Sequence, residues 1–144
     1  MILVGDTSGL VAAFNMDDPE HAAARRVLIE APLTVISPLV LLEIEHIATR
    51  NVSRQAALAI NDWLLAQDRT GRVAIAAVTA STLRTARAVQ NRYAALRLDL
   101  TDAVSVALAD QYETDAVLTL DRRDFRAVVP LNGAPAFRLL PDNG

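Results

Sequence analysis

Short apolar runs alternate along this sequence with longer stretches in which apolar and polar positions recur at helical spacing. Four runs are apolar almost throughout and too short for a typical helix, namely residues 2–4, 33–36, 73–78 and 116–120. We predict a buried strand at each of them and a fifth strand at residues 136–140. Strands that are apolar on both faces are typical of a parallel sheet covered by helices on both sides.

The stretches between the runs begin and end at residues that commonly bound helices. Ser53 opens a stretch that Gly71 closes, and Thr79 precedes another. Pro19 and Pro38 stand where the first residue of a helix is expected. The predicted helices cover residues 10–14, 19–30, 38–49, 54–70, 80–97 and 99–112. This alternation indicates an α/β fold of three layers, with a central parallel sheet of four or five strands flanked by helices.

Length and composition fit one domain over residues 1–144. The chain is 52% hydrophobic and 22% charged, which is the balance of a folded protein with a sizeable core. No apolar run approaches the roughly 18 residues that cross a bilayer, so we expect no membrane segment. The first residues lack the positively charged region of a secretory signal. We therefore expect a cytoplasmic protein.

The residue counts exclude several kinds of chemistry. The chain has no cysteine and only 2 histidines, which excludes disulfides, thiol nucleophiles and zinc–thiolate sites. All 14 basic residues are arginine, so no lysine can act as a nucleophile or phosphate clamp. A net charge of -3 and 4% aromatic residues argue against a broad basic or stacking surface for nucleic acid. Any bound nucleic acid would be held mainly by arginine and metal.

Acidic residues stand where the predicted parallel strands end. Asp6 follows the first strand and Asp121 follows the fourth. Glu43 lies in the second turn of the helix after the second strand. Asp99 and Asp102 begin an otherwise apolar helix, three residues apart and therefore on one face. The functional crevice of an open parallel sheet lies beyond the carboxyl ends of its strands, so four distant segments deliver acids to one edge.

Each of these acids also has a purely structural interpretation. Asp6 and Asp99 could cap the helices that follow them. Asp102 could stabilise the first turn of its helix through the helix dipole. For Asp124, which has arginines beside it, pattern alone favours a solvated surface charge.

Pattern reasoning leaves one choice open within the third predicted helix. Glu43 and Glu45 both have apolar neighbours on a helical wheel, so expected burial does not select either of them. His21 and His46 are interpreted as surface or interface residues rather than metal ligands.

Several carboxylates at one edge of a sheet require compensation. Without lysine nearby, three or four converging acids cannot all stay ionised unless a cation joins them. Mg²⁺ and Mn²⁺ take oxygen ligands, keep several waters and bind substrate phosphates. The sequence therefore predicts a divalent cation in an acidic pocket, an arrangement suited to phosphodiester chemistry.

The order of the motifs resembles a known family. The segments are Asp6-Thr7-Ser8, Ser37 through Glu43, Leu100-Thr101-Asp102-Ala103, and Leu118 through Phe125 with the sequence Leu-Thr-Leu-Asp-Arg-Arg-Asp-Phe. Together they resemble the PIN-domain ribonucleases. Size and motif spacing are similar, more narrowly, to the VapC toxins of type II toxin–antitoxin modules. The resemblance covers nearly the whole chain.

The resemblance implies a catalytic quartet and a reaction. The family's acids correspond to Asp6, Glu43, Asp102 and Asp121, which selects Glu43 over Glu45. Asp6 and Asp121 would be the primary Mg²⁺ ligands, Asp102 would complete the metal shell, and Glu43 would bind metal or orient the attacking water. Water attack on phosphorus would cleave RNA to leave a 5′-phosphate and a 3′-hydroxyl.

The resemblance and the local charge pattern add further candidates. Five residues would support the site: Thr7, Ser8, Asp99, Thr119 and Asp124. Seven arginines are candidates for RNA phosphate contacts: Arg84, Arg87, Arg92, Arg97, Arg122, Arg123 and Arg126. The expected substrates are structured RNAs of the tRNA or rRNA type.

The resemblance also implies partners. We expect a homodimer neutralised by a VapB-type antitoxin. The two helices between residues 38 and 69 could present a groove for its amphipathic peptide. The alternatives are a PIN nuclease with an RNA-processing role other than toxicity, or a catalytically silent PIN binding module. Receiver domains and haloacid-dehalogenase-like phosphatases also carry acidic pockets on α/β folds, but they normally use a lysine, which this chain lacks.

Overall fold

Five parallel strands form one sheet in the computed structural model, which describes residues 1–143. The strand order is β3-β2-β1-β4-β5, and every neighbouring pair is parallel. The strands are β1 (Ile2–Gly5), β2 (Leu33–Ile36), β3 (Val73–Ile75), β4 (Ala116–Leu118) and β5 (Arg138–Leu140). The parallel sheet and the fifth strand are confirmed.

The helices lie between these strands, as the alternation of patterns predicts. They are α1 (Thr7–Phe14), α2 (His21–Glu30), α3 (Pro38–Asn51), α4 (Arg54–Thr70), α5 (Ala80–Arg92), α6 (Leu100–Gln111) and α7 (Arg122–Ala127), with a 3-10 turn at Ala94–Leu96. Across residues 1–143, no helix has the length and apolar character needed to cross a membrane.

Side-chain caps explain several of the helix ends. The Ser53 hydroxyl accepts a hydrogen bond from the Ala56 N–H at 3.0 Å, which caps α4. Gly71 ends the same helix with φ of +80°, a conformation that glycine adopts without steric cost. Thr79 and Thr82 form a reciprocal capping box at the start of α5. The polar residues that marked these boundaries in the sequence therefore act as predicted.

Several predicted boundaries are wrong. Strand β3 ends at Ile75 rather than at residue 78, and β5 begins at Arg138 rather than at residue 136. Helix α2 begins at His21 rather than Pro19, because Asp18 accepts hydrogen bonds from the backbone of Glu20 and His21 and closes a turn there. Helix α5 ends at Arg92 rather than at residue 97. The predicted end, Arg97, instead adopts a φ of 55° at a turn of the chain. Strand β4 ends at Leu118 rather than at residue 120, and the hydroxyl of the next residue, Thr119, contacts one of the acidic residues described below.

The sheet separates two apolar layers, which confirms the three-layer architecture. On one face, α5, α6 and α7 pack a cluster that includes Val104, Leu108 and Phe125. On the other, α1 to α4 pack a cluster that includes Leu10 and Ile44. Because both faces are covered, the strands are apolar on both sides. Function is then confined to the rim of the sheet, where strands end.

Candidate active site

The central strands β1 and β4 bring two acid-bearing segments together. The chain leaves β1 toward β2 and β3 on one side of the sheet, and toward β4 and β5 on the other. This makes the carboxyl ends of β1 and β4 the switch point of the sheet, where a crevice is expected. Asp6 follows β1 directly, and its N–H donates to the Leu118 carbonyl at 3.0 Å. The backbone thus places Asp6 beside the segment that carries Asp121.

A glycine permits this close approach of α1 to β4. A Cβ atom added to Gly9 would lie 2.5 Å from the Leu118 carbonyl oxygen, which is backbone and cannot move aside cheaply. Only glycine therefore allows the first turn of α1 to lie against the end of β4. That contact holds Ser8 next to Thr119, with 3.2 Å between their hydroxyl oxygens.

Asp6 is buried at the centre of the candidate site. Its side chain is 3% exposed, and Oδ2 accepts hydrogen bonds from the Thr119 hydroxyl at 2.8 Å and the Ser8 hydroxyl at 3.0 Å. Burial raises the pKa of Asp6 to about 6, although the two hydroxyls oppose the rise. Oδ1 is also buried and has no hydrogen-bond partner among residues 1–143. A buried, unpartnered carboxylate oxygen is costly unless something binds it.

The two hydroxyls also hold the segment that follows β4. Thr119 Oγ1 accepts a hydrogen bond from the Asp121 N–H at 2.9 Å, and Ser8 Oγ accepts one from the Leu120 N–H at 2.9 Å. Thr119 therefore links Asp6 to the backbone of Asp121, and Ser8 links Asp6 to the backbone of Leu120, the residue before it. The structure brings these predicted supporting residues into direct contact with the first acid.

Asp102 lies in the first turn of α6 and faces the other acids. Burial is the largest of the causes that together raise its pKa to about 9. The others, in decreasing order, are the negative charges of Asp6, Asp99, Asp121 and Glu43. Asp99 caps α6, since its Oδ1 accepts from the Asp102 N–H at 2.8 Å. The structural interpretation of Asp99 as a cap is confirmed, and its charge also acts on the site.

Asp121 and Asp124 complete a compact acidic group with Asp102. One carboxylate oxygen from each residue can be chosen so that all three lie within 4.8 Å of one another. Burial and the charge of Asp124 raise the pKa of Asp121. The interpretation of Asp124 as a solvated surface charge is wrong, because α7, a helix the pattern did not predict, turns it toward Asp102. In the sequence, the family resemblance was the signal that placed Asp124 with the site.

Glu43 and Glu45, which the sequence pattern left equivalent, have different surroundings. Glu43 Oε1 accepts a 2.6 Å hydrogen bond from the Thr7 hydroxyl, next to Asp6 in the chain. Glu45 instead pairs with Arg54 at 3.1 Å on the surface. The hydrogen bond to α1 therefore places Glu43, and not Glu45, with the acids.

The candidate RNA-binding arginines differ in what they already contact. Arg122 is engaged by Glu20 and by Asp142, so its guanidinium is committed within the chain. Arg126 pairs with the same Asp142 at 3.0 Å. Arg123 is exposed, and its charge lowers the pKa of Asp121, which places it near the acids. These ion pairs argue against phosphate contacts by Arg122 and Arg126.

The remaining candidate arginines lie on or after α5. Arg87 donates to Gln90 at 2.7 Å and to Asn91 at 3.3 Å. The guanidinium of Arg92 lies 5.7 Å from the centre of the Tyr93 ring. Arg84 and Arg97 are exposed. All four side chains therefore lie on the surface.

The chemistry of this donor set fits a divalent cation. All the converging groups are carboxylates, and hard cations such as Mg²⁺ bind oxygen ligands. The unpartnered Asp6 Oδ1 and the strongly raised pKa of Asp102 both mark a site that lacks positive charge. A bound cation would remove both costs at once. The residues therefore form an acidic cluster of the kind that holds a metal ion.

Fold and site together define an α/β protein with a pocket of carboxylates, suited to binding a cation, at the switch point of a parallel sheet. The chain belongs to the PIN domain family, whose sequence model matches residues 3–129. The family that the sequence motifs resemble is therefore confirmed.

Two relatives narrow the comparison to VapC proteins. The chain is 34% identical over 140 residues to Ribonuclease VapC26 of Mycobacterium tuberculosis, covering 96% of this chain and 100% of the relative. The crystal structure of M. tuberculosis VapC20, a Sarcin-Ricin loop cleaving toxin, superposes with a TM-score of 0.77 at 26% identity. That match covers 94% of this chain and 100% of VapC20. The resemblance to VapC-type ribonucleases is confirmed.

A third similarity concerns the fold alone. The structure of VapBC2 from Rickettsia felis, bound to a DNA fragment from its promoter, matches with a TM-score of 0.66 and 16% identity. It covers 91% of this chain and 96% of that chain.

Proposed function

We propose that this chain is a Mg²⁺-dependent endoribonuclease and the toxin of a toxin–antitoxin pair. The observation that carries the proposal is the buried, unpartnered Oδ1 of Asp6, in a pocket where burial and neighbouring negative charges raise the pKa of Asp102 to about 9. The similarity to Ribonuclease VapC26 over 96% of the chain supplies the substrate class. Location in the cytoplasm is part of the same proposal.

Asp6, Asp102 and Asp121 would hold the cation, and Asp124 lies close enough to join them. When bound, Mg²⁺ supplies charge stabilisation for the phosphodiester and its leaving oxygen. The chain's own contribution is orientation. Thr119 and Ser8 fix Asp6 Oδ2, so that Oδ1 is the oxygen left for the cation.

Glu43 is the residue we assign to the attacking water. Its Oε1 is held by the Thr7 hydroxyl at 2.6 Å, which fixes the carboxylate beside Asp6 while leaving Oε2 for another donor. A positioned carboxylate can accept a proton from water during attack. Cleavage by water would leave a 5′-phosphate and a 3′-hydroxyl.

The proposed substrate is a structured RNA of the tRNA or rRNA type, cut at an exposed single-stranded position. The similar Mycobacterium tuberculosis VapC20 is a Sarcin-Ricin loop cleaving toxin, which supports a loop of RNA as the substrate. Four exposed arginines are proposed to contact RNA phosphates: Arg84, Arg92, Arg97 and Arg123. Arg87 is also proposed to contact phosphate, and it would have to exchange its hydrogen bonds to Gln90 and Asn91 to do so.

End-mapping of cellular RNA after brief induction tests the activity. We expect discrete 5′-phosphate ends in cells expressing the wild type, and none in cells expressing Asp102→Asn. Asp110→Asn, an exposed acid at the far end of α6, is the matched control and should cut like wild type. Cuts that persist in Asp102→Asn would refute the assignment. Specific cuts without growth arrest would favour an RNA-processing nuclease over a toxin.

The antitoxin partner is proposed to bind a groove on the helical face away from α6. The groove has a volume of about 430 Å³ and runs between α1, α3 and α4. Phe14 and Trp63 meet edge to face in its wall, with ring centres 5.2 Å apart. The Arg25 guanidinium lies 5.3 Å from the centre of the Phe14 ring. An apolar peptide with an acidic residue near Arg25 would fit this surface.

Co-expression tests the partner. A small protein encoded beside this gene should relieve growth arrest and co-purify with the chain. Val52→Glu, which adds a charge at the exposed edge of the groove, should prevent co-purification while RNA cleavage continues. Ser81→Glu, exposed at the start of α5, is the control. Sedimentation of the free chain tests the proposed homodimer.

A further inference from the structure

Helix α7 is short, yet it carries two of the site's acids. It has six residues, with Asp121 immediately before its first residue and Asp124 in its first turn. Phe125 is its buried side chain, and its ring meets the Phe137 ring edge to face at 6.0 Å. One buried ring holds a short helix against the core but does not fix its rotation about its own axis. Ser8 and Thr119 hold the backbone just before the helix, at Leu120 and Asp121. A contact on the helix itself must add to these to aim Asp124 at Asp102.

The second face of α7 supplies that restraint. Arg122 Nε donates to Asp142 Oδ2 at 2.6 Å, and another nitrogen of the same guanidinium donates to Glu20. Arg126, four residues on and therefore on the same helical face, donates to the same Asp142 oxygen at 3.0 Å. Glu20 precedes α2 and Asp142 follows β5. Three segments distant in sequence thus meet at one guanidinium.

We propose that the ion-pair group of Glu20, Arg122 and Asp142 positions α7 so that Asp121 and Asp124 face the cation. Arg122 is a positioning residue in this proposal, because its guanidinium is bound to the two carboxylates and acts through the helix. The inference rests on the proposed function in one respect, since it assumes that the acids hold a cation. It goes beyond that function by assigning a role to Glu20 and Asp142, which carry none in the catalytic scheme.

Arginine is suited to this role. Its planar guanidinium offers several N–H groups in fixed directions, so one side chain can bind two carboxylates from different segments. A lysine ammonium is a point charge on a flexible stem and holds direction poorly. The side chain of Arg122 is 29% exposed and those of Glu20 and Asp142 are 34% and 30% exposed, so solvent reaches all three members of the group.

Loss of Arg122 should change divalent cation affinity in opposite directions if the arginine acts only through its charge and if it positions α7. This difference makes the proposal testable. Removing a positive charge near a cluster of acids should tighten divalent cation binding. Loss of Arg122 should loosen binding if the arginine aims the acids. Arg123 is the matched control, because it is the adjacent arginine, is exposed, and acts on Asp121 through charge.

Calorimetric titration with Mn²⁺ separates these two effects. We expect Arg122→Gln to bind Mn²⁺ about 10-fold more weakly than wild type, the lower end of the effect expected when residues that orient metal ligands are lost. Arg123→Gln should bind Mn²⁺ equally or more tightly. Glu20→Gln should resemble Arg122→Gln, and Arg122→Lys should recover only part of the loss. Equal or tighter binding by Arg122→Gln would overturn the proposal.

Hydrogen exchange in EDTA provides a readout that does not depend on the metal. The amides of α7 should exchange faster in Arg122→Gln than in wild type or Arg123→Gln, while those of α6 exchange at the same rate. Unchanged exchange in α7 would overturn the proposal even if Mn²⁺ affinity fell. Failure of wild type itself to bind Mn²⁺ would instead count against the proposed metal-dependent function, and exchange in α7 would still decide the role of Arg122.

Discussion

The hydroxyl of Thr119 donates a 2.8 Å hydrogen bond to Oδ2 of Asp6, although 113 residues separate them in the chain. The hydroxyl oxygen of Thr119 in turn accepts a hydrogen bond from the Asp121 N–H at 2.9 Å. One hydroxyl therefore orients an acid at the end of β1 and the backbone of an acid after β4. Residues that orient metal ligands in this way commonly tune affinity as strongly as some ligands do.

Replacing that hydroxyl with a methyl group should weaken the site. Thr119→Val keeps the shape but leaves the Asp121 N–H without its acceptor and Asp6 with one donor fewer. We expect about a 10-fold loss of Mn²⁺ affinity and a loss of about 1–2 kcal/mol in the free energy of unfolding. Calorimetry and urea unfolding measure the two effects. Thr119→Ser, which restores a hydroxyl, should recover most of both, and Mn²⁺ affinity within twofold of wild type in Thr119→Val would contradict this role.

The two glutamates of α3 provide a matched pair. Glu43→Gln should lower the rate of RNA cleavage by about 100-fold or more, because a neutral amide cannot accept a proton from water. Glu45→Gln should cut at the wild-type rate, since Glu45 pairs with Arg54 on the surface. Cleavage rates under single-turnover conditions at saturating Mg²⁺ give the comparison. Equal rates for the two variants would remove Glu43 from the catalytic scheme.

The raised pKa values predict how the stability of the metal-free protein depends on pH. The folded state holds protons on Asp6 up to about pH 6 and on Asp102 up to about pH 9, whereas the unfolded chain releases them near 3.8. The stabilisation from these protons is full below the unfolded pKa and is lost as pH rises through the two folded values. In EDTA, the melting temperature should therefore fall between about pH 5 and pH 9.

Asp102→Asn provides the control for that pH dependence. At about pH 8 the folded wild type must keep a proton on Asp102 that the unfolded chain releases, and the neutral amide of the variant carries no such cost. The variant should therefore melt at a higher temperature than wild type at this pH in EDTA. Saturating Mn²⁺ should reverse the order, because the cation stabilises the ionised carboxylates of the wild type. Thermal melts with and without metal measure both. A wild type whose metal-free stability rises across this range would contradict the electrostatic description of the pocket.

Gly9 should not tolerate a side chain. The Cβ of Gly9→Ala would lie 2.5 Å from the Leu118 carbonyl oxygen, so α1 would have to move away from β4. We expect a loss of about 1–3 kcal/mol in the free energy of unfolding together with weaker Mn²⁺ binding, because Ser8 and Thr7 move with α1. Gly133→Ala is the control for a general loss of stability. Its added Cβ would meet nothing within 4 Å, but the φ of +90° at this position strains any residue other than glycine. Such strain should affect stability but not Mn²⁺ affinity.

Local patterns in the sequence were sufficient to predict most of the fold. Uniformly apolar runs predicted the strands because both faces of a central parallel strand are buried, and this holds for Val4 and Val117. Ser53, Gly71 and Thr79 marked helix ends because caps act within three or four residues of chain. Parallel strands end at one edge of a sheet, where helix N-termini also converge, and this rule was enough to group Asp6, Asp102 and Asp121 before any contact was known.

Other features depended on contacts between distant segments, which no local pattern encodes. The selection of Glu43 over Glu45 rests on the Thr7 hydroxyl, 36 residues away, and family motifs were needed to anticipate it. The turning of Asp124 toward Asp102 depends on a six-residue helix, too short to show a periodic pattern. The sequence made Arg122 a candidate for phosphate contacts, whereas in the fold its guanidinium pairs with Glu20 and Asp142. The role of a charged side chain depends on which opposite charge lies nearest to it. Only the tertiary structure decides which residue provides that charge.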